Sequence, residues 1–208
     1  MKNRNRNRNR NRVRALAVAG TAAALLAAVA ATAPGPAAAP KPKPAAVHGA
    51  ASILYVYAAD DDIRFTVDAE AAPFSRPLNH PQARNGMPTD ARGKVTFSHH
   101  SPEHGETRSA EAEVDCLVTG GRTATLTAVI TSGDAADVGR RIGISVQDGQ
   151  RGEPDRLGFS WGVANMDVQP DGTPTRPTVG TCMAPAPFAE VTGGGFSVTP
   201  GRLAPLPA

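Results

Sequence analysis

Residues 51–208 are predicted to form an all-β domain, an antiparallel sandwich or barrel of about 7–8 strands. Three observations predict it. Apolar and polar residues alternate with period two from Ser52 onward, clusters of turn-forming residues recur at intervals of roughly 8–15 residues, and no stretch carries the 3.6-residue period of an amphipathic helix.

The strands follow in order. Ser52–Tyr57 is the first, with Tyr55 and Tyr57 on one face. Ile63, Phe65, Val67 and Ala69 then alternate with Arg64, Thr66 and Asp68, and Lys94–His99 is the third strand. The clearest alternation sets Ala110, Ala112, Val114, Cys116 and Val118 against Glu111, Glu113 and Asp115. Gly120-Gly121 separates it from Thr123–Thr131, and this pair predicts a tight hairpin because glycine takes positive φ at little steric cost. Further strands are expected at Ile142–Gln147, Leu157–Val163 and Gly195–Thr199. Between them lie Pro73 to Pro88, Ser132-Gly133-Asp134, Asp148-Gly149 and Asp171-Gly172-Thr173-Pro174, all rich in turn residues.

The N-terminus has a different build. Lys2 and the arginines at 4, 6, 8, 10, 12 and 14 precede an uncharged Ala/Leu/Val run from Ala15 to Ala33, which ends in small residues and Pro34-Gly35-Pro36. This order is that of a secretion signal, residues 1–33, with its basic end retained in the cytoplasm. Cleavage is the expectation, at an Ala-x-Ala site within residues 31–39 or as late as residue 50; an uncleaved anchor is the alternative, because the apolar run is long enough to span a bilayer. Residues 34–50, rich in Pro, Ala and Lys, predict an extended linker.

Charge excludes one function class. The whole chain has 22 Lys plus Arg against 19 Asp plus Glu, a net +3, but seven of the cations lie in the signal and no acid precedes Asp60. Without those seven, 15 cations face 19 acids and the net charge is −4, so phosphate-backbone binding has no electrostatic footing and no nucleic-acid partner is expected. Membrane contact is expected through the signal segment alone.

Cys116 and Cys182 are the two cysteines of the chain. In an oxidising compartment they read first as a disulfide; two free thiols or two metal ligands are the alternatives, and without a CxxC spacing they make a poor metal site.

Chemistry-bearing motifs are few. Gly158-Phe159-Ser160-Trp161-Gly162 matches G-x-S-x-G, yet a hydrolase elbow needs a following helix and a histidine later in the chain, and none follows His104. The strand reading puts Leu157, Phe159, Trp161 and Val163 on the core face. His99, His100 and His104, near Glu103 and Glu106, are candidate zinc or copper ligands, although Ser98 to Gly105 also reads as a solvated turn. Asp148 and Asp155 bracket a Gly-containing loop with calcium-type oxygen donors, opposed by Arg151 and Arg156. Asp60-Asp61-Asp62 is read as solvating a strand start. No cofactor motif is present, so no cofactor is expected.

Val114-Asp115-Cys116-Leu117-Val118, Asp155 to Gly162, and Cys182-Met183-Ala184-Pro185-Ala186-Pro187-Phe188 resemble an uncharacterised family of secreted proteins from high-GC bacteria, over roughly residues 50–200. The resemblance implies export, a β fold and a cysteine pair, and carries over no catalytic residue. The functional expectation is therefore a secreted, non-catalytic β domain with a structural or binding role at the cell surface, its partner cell-wall material or another protein. A metal-binding extracellular module and an extracellular hydrolase using Ser160 are the alternatives.

Overall fold

The computed structural model describes residues 43–162 and 165–207; the expected signal segment and the first part of the expected linker lie outside the described residues. Seven strands follow one another around a wall: β1 (Ala46–Leu54), β2 (Asp62–Ala71), β3 (Ala91–Ser101), β4 (Glu106–Gly120), β5 (Thr123–Ser132), β6 (Arg141–Gln147) and β7 (Arg156–Phe159). The chain then makes an excursion that contains the small hairpin β8 (Asp167–Val168) and β9 (Pro174–Thr175), and returns as β10 (Ala189–Thr199). β10 enters between β7 and β1, every neighbour is antiparallel, and β1 pairs β2, so the sheet is a closed eight-stranded barrel. A barrel of this size is just wide enough for its own side chains to fill. Here Val47, Phe65, Val67, Val95, Leu126 and Ile144 lie in that filled interior with almost no exposed surface.

Several expected boundaries shift. β1 begins at Ala46, inside the stretch expected to be linker, and ends at Leu54, before Tyr55 and Tyr57. Its inward positions are Val47, Gly49, Ala51 and Ile53, and Ala/Gly-rich alternation leaves little hydrophobic contrast to read. β7 stops at Phe159 rather than Val163. β10 starts at Ala189 rather than Gly195, its middle hidden by Gly193-Gly194-Gly195.

Two bulges reverse the in–out phase of long strands. In β4 the partner register skips Asp115, since Val114 faces Ala128 and Cys116 faces Thr127. Ala110, Ala112 and Val114 point inward before the skip and Leu117 after it. The single alternating face expected from Ala110 to Val118 is therefore corrected, and Cys116 lies on the outer wall. In β10 the skip falls at Thr192, between partners of Ser52 and Ile53, so Ala189 and Val191 point inward before it and Phe196 and Val198 after it. The carbonyl of Val114, beside the first bulge, accepts from the Arg76 guanidinium at 2.8 Å, so the loop before β3 repairs the broken ladder.

Outside the barrel, Cys116 bonds Cys182 across a separation of 66 residues, with Cα atoms 5.4 Å apart. This joins the outer wall of β4 to a strap, residues 182–188. Small residues of β6 and β7 seat the strap: a Cβ on Gly143 would overlap the Met183 carbonyl, and one on Gly158 the Ala186 carbonyl. Ser145 Oγ donates to the Pro185 carbonyl at 2.6 Å, and Arg156 donates to those of Pro187 and Phe188 at 3.2 and 2.6 Å. The outer face of β7 is thus covered.

Cutting the staple frees a long loop in the unfolded chain. Cys116→Ser is expected to cost about 4 kcal/mol and to lower the melting temperature by on the order of 10 °C. Thermal unfolding followed by circular dichroism, without reductant, checks this; equal melting temperatures would remove the disulfide as a source of stability.

Candidate functional site

A hollow of about 860 Å³ opens at the barrel mouth where β3 ends and β4 and β6 begin. Ligand sites favour such mouths. β3 supplies its floor. Phe97 pairs Phe65 across β2, and His99 pairs Ile63 on that side and Arg108 on the other, so both continue the inward row of β3 as it leaves the core. Trp161, the one tryptophan of the chain, packs on Phe97 with ring centroids 4.8 Å apart and on Phe159 at 4.9 Å. Its apolar body therefore closes the barrel from above.

One wall is the loop between β5 and β6. The Asp134 carboxylate accepts from the Ala136 backbone N–H at 3.0 Å, and the Asp134 carbonyl accepts from those of Asp137 and Val138, a tight turn that aims Asp137 and Arg140 at the hollow. The opposite wall is the excursion after β7. Asn165 donates to the Phe159 carbonyl at 2.8 Å, and Thr178 N–H to Asp167 at 3.0 Å. Arg176 crosses to the Asp137 Oδ1 atom, which Arg140 also reaches at 3.3 Å. Arg141 bonds Asp115 at 2.8 Å, and Asp115, 7% exposed, also takes the Thr127 hydroxyl. Thr127 in turn accepts the Cys182 N–H at 3.1 Å. The wall and the disulfide are one network.

The histidines expected as ligands are dispersed. His99 and His100 lie within β3, not in the turn, and point to opposite sides. His99 Nε2 donates to Asp61, His100 Nδ1 meets the Thr107 hydroxyl at 2.9 Å, and His104 Nδ1 meets the Ser101 hydroxyl at 3.1 Å. Asp61 is accordingly a mouth residue with 12% of its side chain exposed, not a solvated strand start. Its hydrogen bond to His99 is the first cause holding its carboxyl below the ordinary aspartate value of 3.8.

Asp148 and Asp155 lie at the other end of β6 and complete the barrel. β7 pairs β10 through Leu157 and Arg156 alone. Beyond them, Asp155 accepts from the backbone N–H groups of Phe196 at 2.6 Å and Gly149 at 2.7 Å, and Asp148 from that of Val198 at 3.2 Å. The two carboxylates stand in for missing strand carbonyls. Among the described residues no group of three or more His, Cys, Asp or Glu side chains converges as a metal site.

Ser160 has a similar duty. It is 8% exposed; its Oγ accepts the Gly143 N–H at 2.8 Å, and its own N–H donates to the Gly143 carbonyl at 3.0 Å. That reciprocal pair extends the β6–β7 ladder one residue past β7. Asp137, Arg140, Arg141 and Arg176 had no signal in the sequence beyond being polar loop or strand-end residues. Trp161, which the strand pattern puts on the core face, both packs against the core and lines the cleft.

Two substitutions probe these assignments. Ser160→Ala orphans the Gly143 N–H and is expected to destabilise by about 1–3 kcal/mol, measured by urea unfolding; an unchanged midpoint would separate Ser160 from the ladder. A carboxyl whose value is depressed by folding stabilises the fold above its ordinary value and loses that contribution as pH falls through the depressed one. Asp61→Asn should therefore show a smaller drop in melting temperature than the native chain between about pH 6 and pH 3; equal drops would contradict the His99 pairing.

No family model, no curated protein and no solved structure matches this chain.

Proposed function

We propose that this chain is an exported, non-catalytic binding module that holds a small ligand in the cleft at the Trp161 mouth of its barrel. The observation that carries the reading is the cleft itself: an apolar floor of Phe97 and Trp161 under two polar walls from different segments. Pockets that combine an apolar bed with a few convergent polar groups are the default binding sites of folded domains. The export reading rests on the basic–apolar–small order of residues 1–33 and agrees with the cysteine pair at bonding distance. The non-catalytic reading rests on Ser160, whose hydroxyl is buried and engaged by the Gly143 N–H.

Amide chemical-shift mapping tests this. With the ¹⁵N-labelled protein titrated by a library of ring-containing fragments, the shifted amides should cluster around His99, Arg108, Asp137, Trp161 and Arg176. Shifts confined to the opposite end, around Asp148 and Asp155, or shifts with no cluster at all, would overturn the reading.

A further inference from the structure

Resting on that reading, we infer that the cleft selects a small amphiphile: a flat apolar ring laid against Phe97 and Trp161, carrying one carboxylate-like anion that Arg140 and Arg176 receive. The first ground is an uneven distribution of charge. From residue 43 to the C-terminus the chain has 14 Lys plus Arg and 19 Asp plus Glu. Four of those cations line the cleft, Arg108, Arg140, Arg141 and Arg176, against two acids, Asp134 and Asp137. The lining itself is richer in cations than the domain, with Asp115 and Glu106 standing behind it against Arg141 and Arg108, and a cation-rich lining concentrates anions locally.

The second ground is how those arginines are partnered. Arg141 is satisfied, because Asp115 lies buried behind it at 2.8 Å. Arg140 and Arg176 share a single carboxylate oxygen, Asp137 Oδ1. Two guanidiniums on one acid leave several N–H donors without an acceptor among the described residues, and a planar carboxylate is the group a guanidinium fork binds best. Arg108 has Glu106 at 3.4 Å, with both side chains largely exposed; a pair of that kind holds its arginine weakly. Asp134 is the acid that opposes an anion, and it sits in the turn, bonded to a backbone N–H.

The third ground is the floor. Phe65, Phe97, Phe159 and Trp161 form a run of rings with centroids 4.8 to 6.0 Å apart. The pairs are tilted rather than stacked, and a flat ring can join Phe97 and Trp161 by the same kind of contact. With a volume of about 860 Å³ the hollow admits one small molecule.

Isothermal titration with 2-naphthoate, 2-naphthamide and 2-naphthylmethylammonium separates ring from charge. The carboxylate is expected to bind about tenfold more tightly than the amide, since hydrogen bonds to a charged group are worth that difference, and the ammonium more weakly than either. Arg176→Gln and Arg140→Gln should each lower affinity for the carboxylate severalfold and leave the amide unchanged. Raising the salt to about 0.5 M should narrow the gap. If amide and carboxylate bind alike, or the Arg variants weaken both equally, the anion preference is overturned while the cleft remains a binding site. If none of the three binds, the inference falls, and the amide-shift map decides separately whether the cleft binds at all.

Discussion

The bulge at Asp115 is the constraint on which the outer architecture depends. In an unbroken strand Cys116 would share the face of Val114 and point into the barrel, where it could reach nothing on the outer wall. Skipping one residue in the pairing with β5 turns Cys116 outward and Leu117 inward. The same skip places the Asp115 carboxylate where Thr127 and Arg141 both donate to it. One extra residue thus produces the covalent anchor of the strap and the acid that fixes both a cleft arginine and the Thr127 hydroxyl that receives the Cys182 N–H. A bulge costs ladder hydrogen bonds, and Arg76 repays one of them at the Val114 carbonyl.

A second constraint is that β7 is too short to complete its share of the wall. It has four residues, whereas β10 beside it has eleven. Side chains fill the deficit at both ends, Asp148 and Asp155 at one and Ser160 at the other. These are the residue types that suggest calcium or a nucleophile when read as motifs. In the fold they satisfy backbone N–H groups that an ordinary strand would have paired, which is the obligation every buried donor carries. Polar residues at a barrel seam and polar residues at an active site look alike in one dimension. Only the position of the seam tells them apart.

That difference explains what was legible in the sequence. Ile63 to Ala69 and Thr123 to Thr131 alternate strongly, and β2 and β5 appear where expected, because a half-buried strand writes its burial directly into polarity. β1 was read late, since Ala46, Gly49 and Ala50 carry almost no contrast, and β10 was cut short by its glycines. The bulges were invisible: Val114 to Val118 is apolar or small at nearly every position, so either phase fits the pattern. The cleft was invisible for a different reason. Its members come from β3, β4, the loop before β6 and the excursion after β7, and nothing local links Arg140 to Arg176 until a shared Asp137 brings them together. His99 and Asp61, 38 residues apart, meet in the same way.

The excursion from Ser160 to Phe188 ties stability to the proposed binding site. The wall contributed by Arg176 contains no strand of the barrel; it is held by polar contacts at Asn165 and Arg176, by the disulfide and by the hydrogen bonds of the strap to β6 and β7. The barrel, by contrast, is held by continuous ladders and a filled interior. Free energy of local opening follows such differences in packing, so the excursion belongs to the low-stability part of the molecule and the barrel to the high-stability part. A crosslink from that excursion to β4 therefore acts beyond the entropy of the unfolded chain. It limits how far the Arg176 wall can move from Asp137 and Trp161 while the barrel stays folded, and so keeps the mouth preorganised. Preorganisation reduces the ordering cost of binding, and in an oxidising compartment a disulfide is a durable means of providing it.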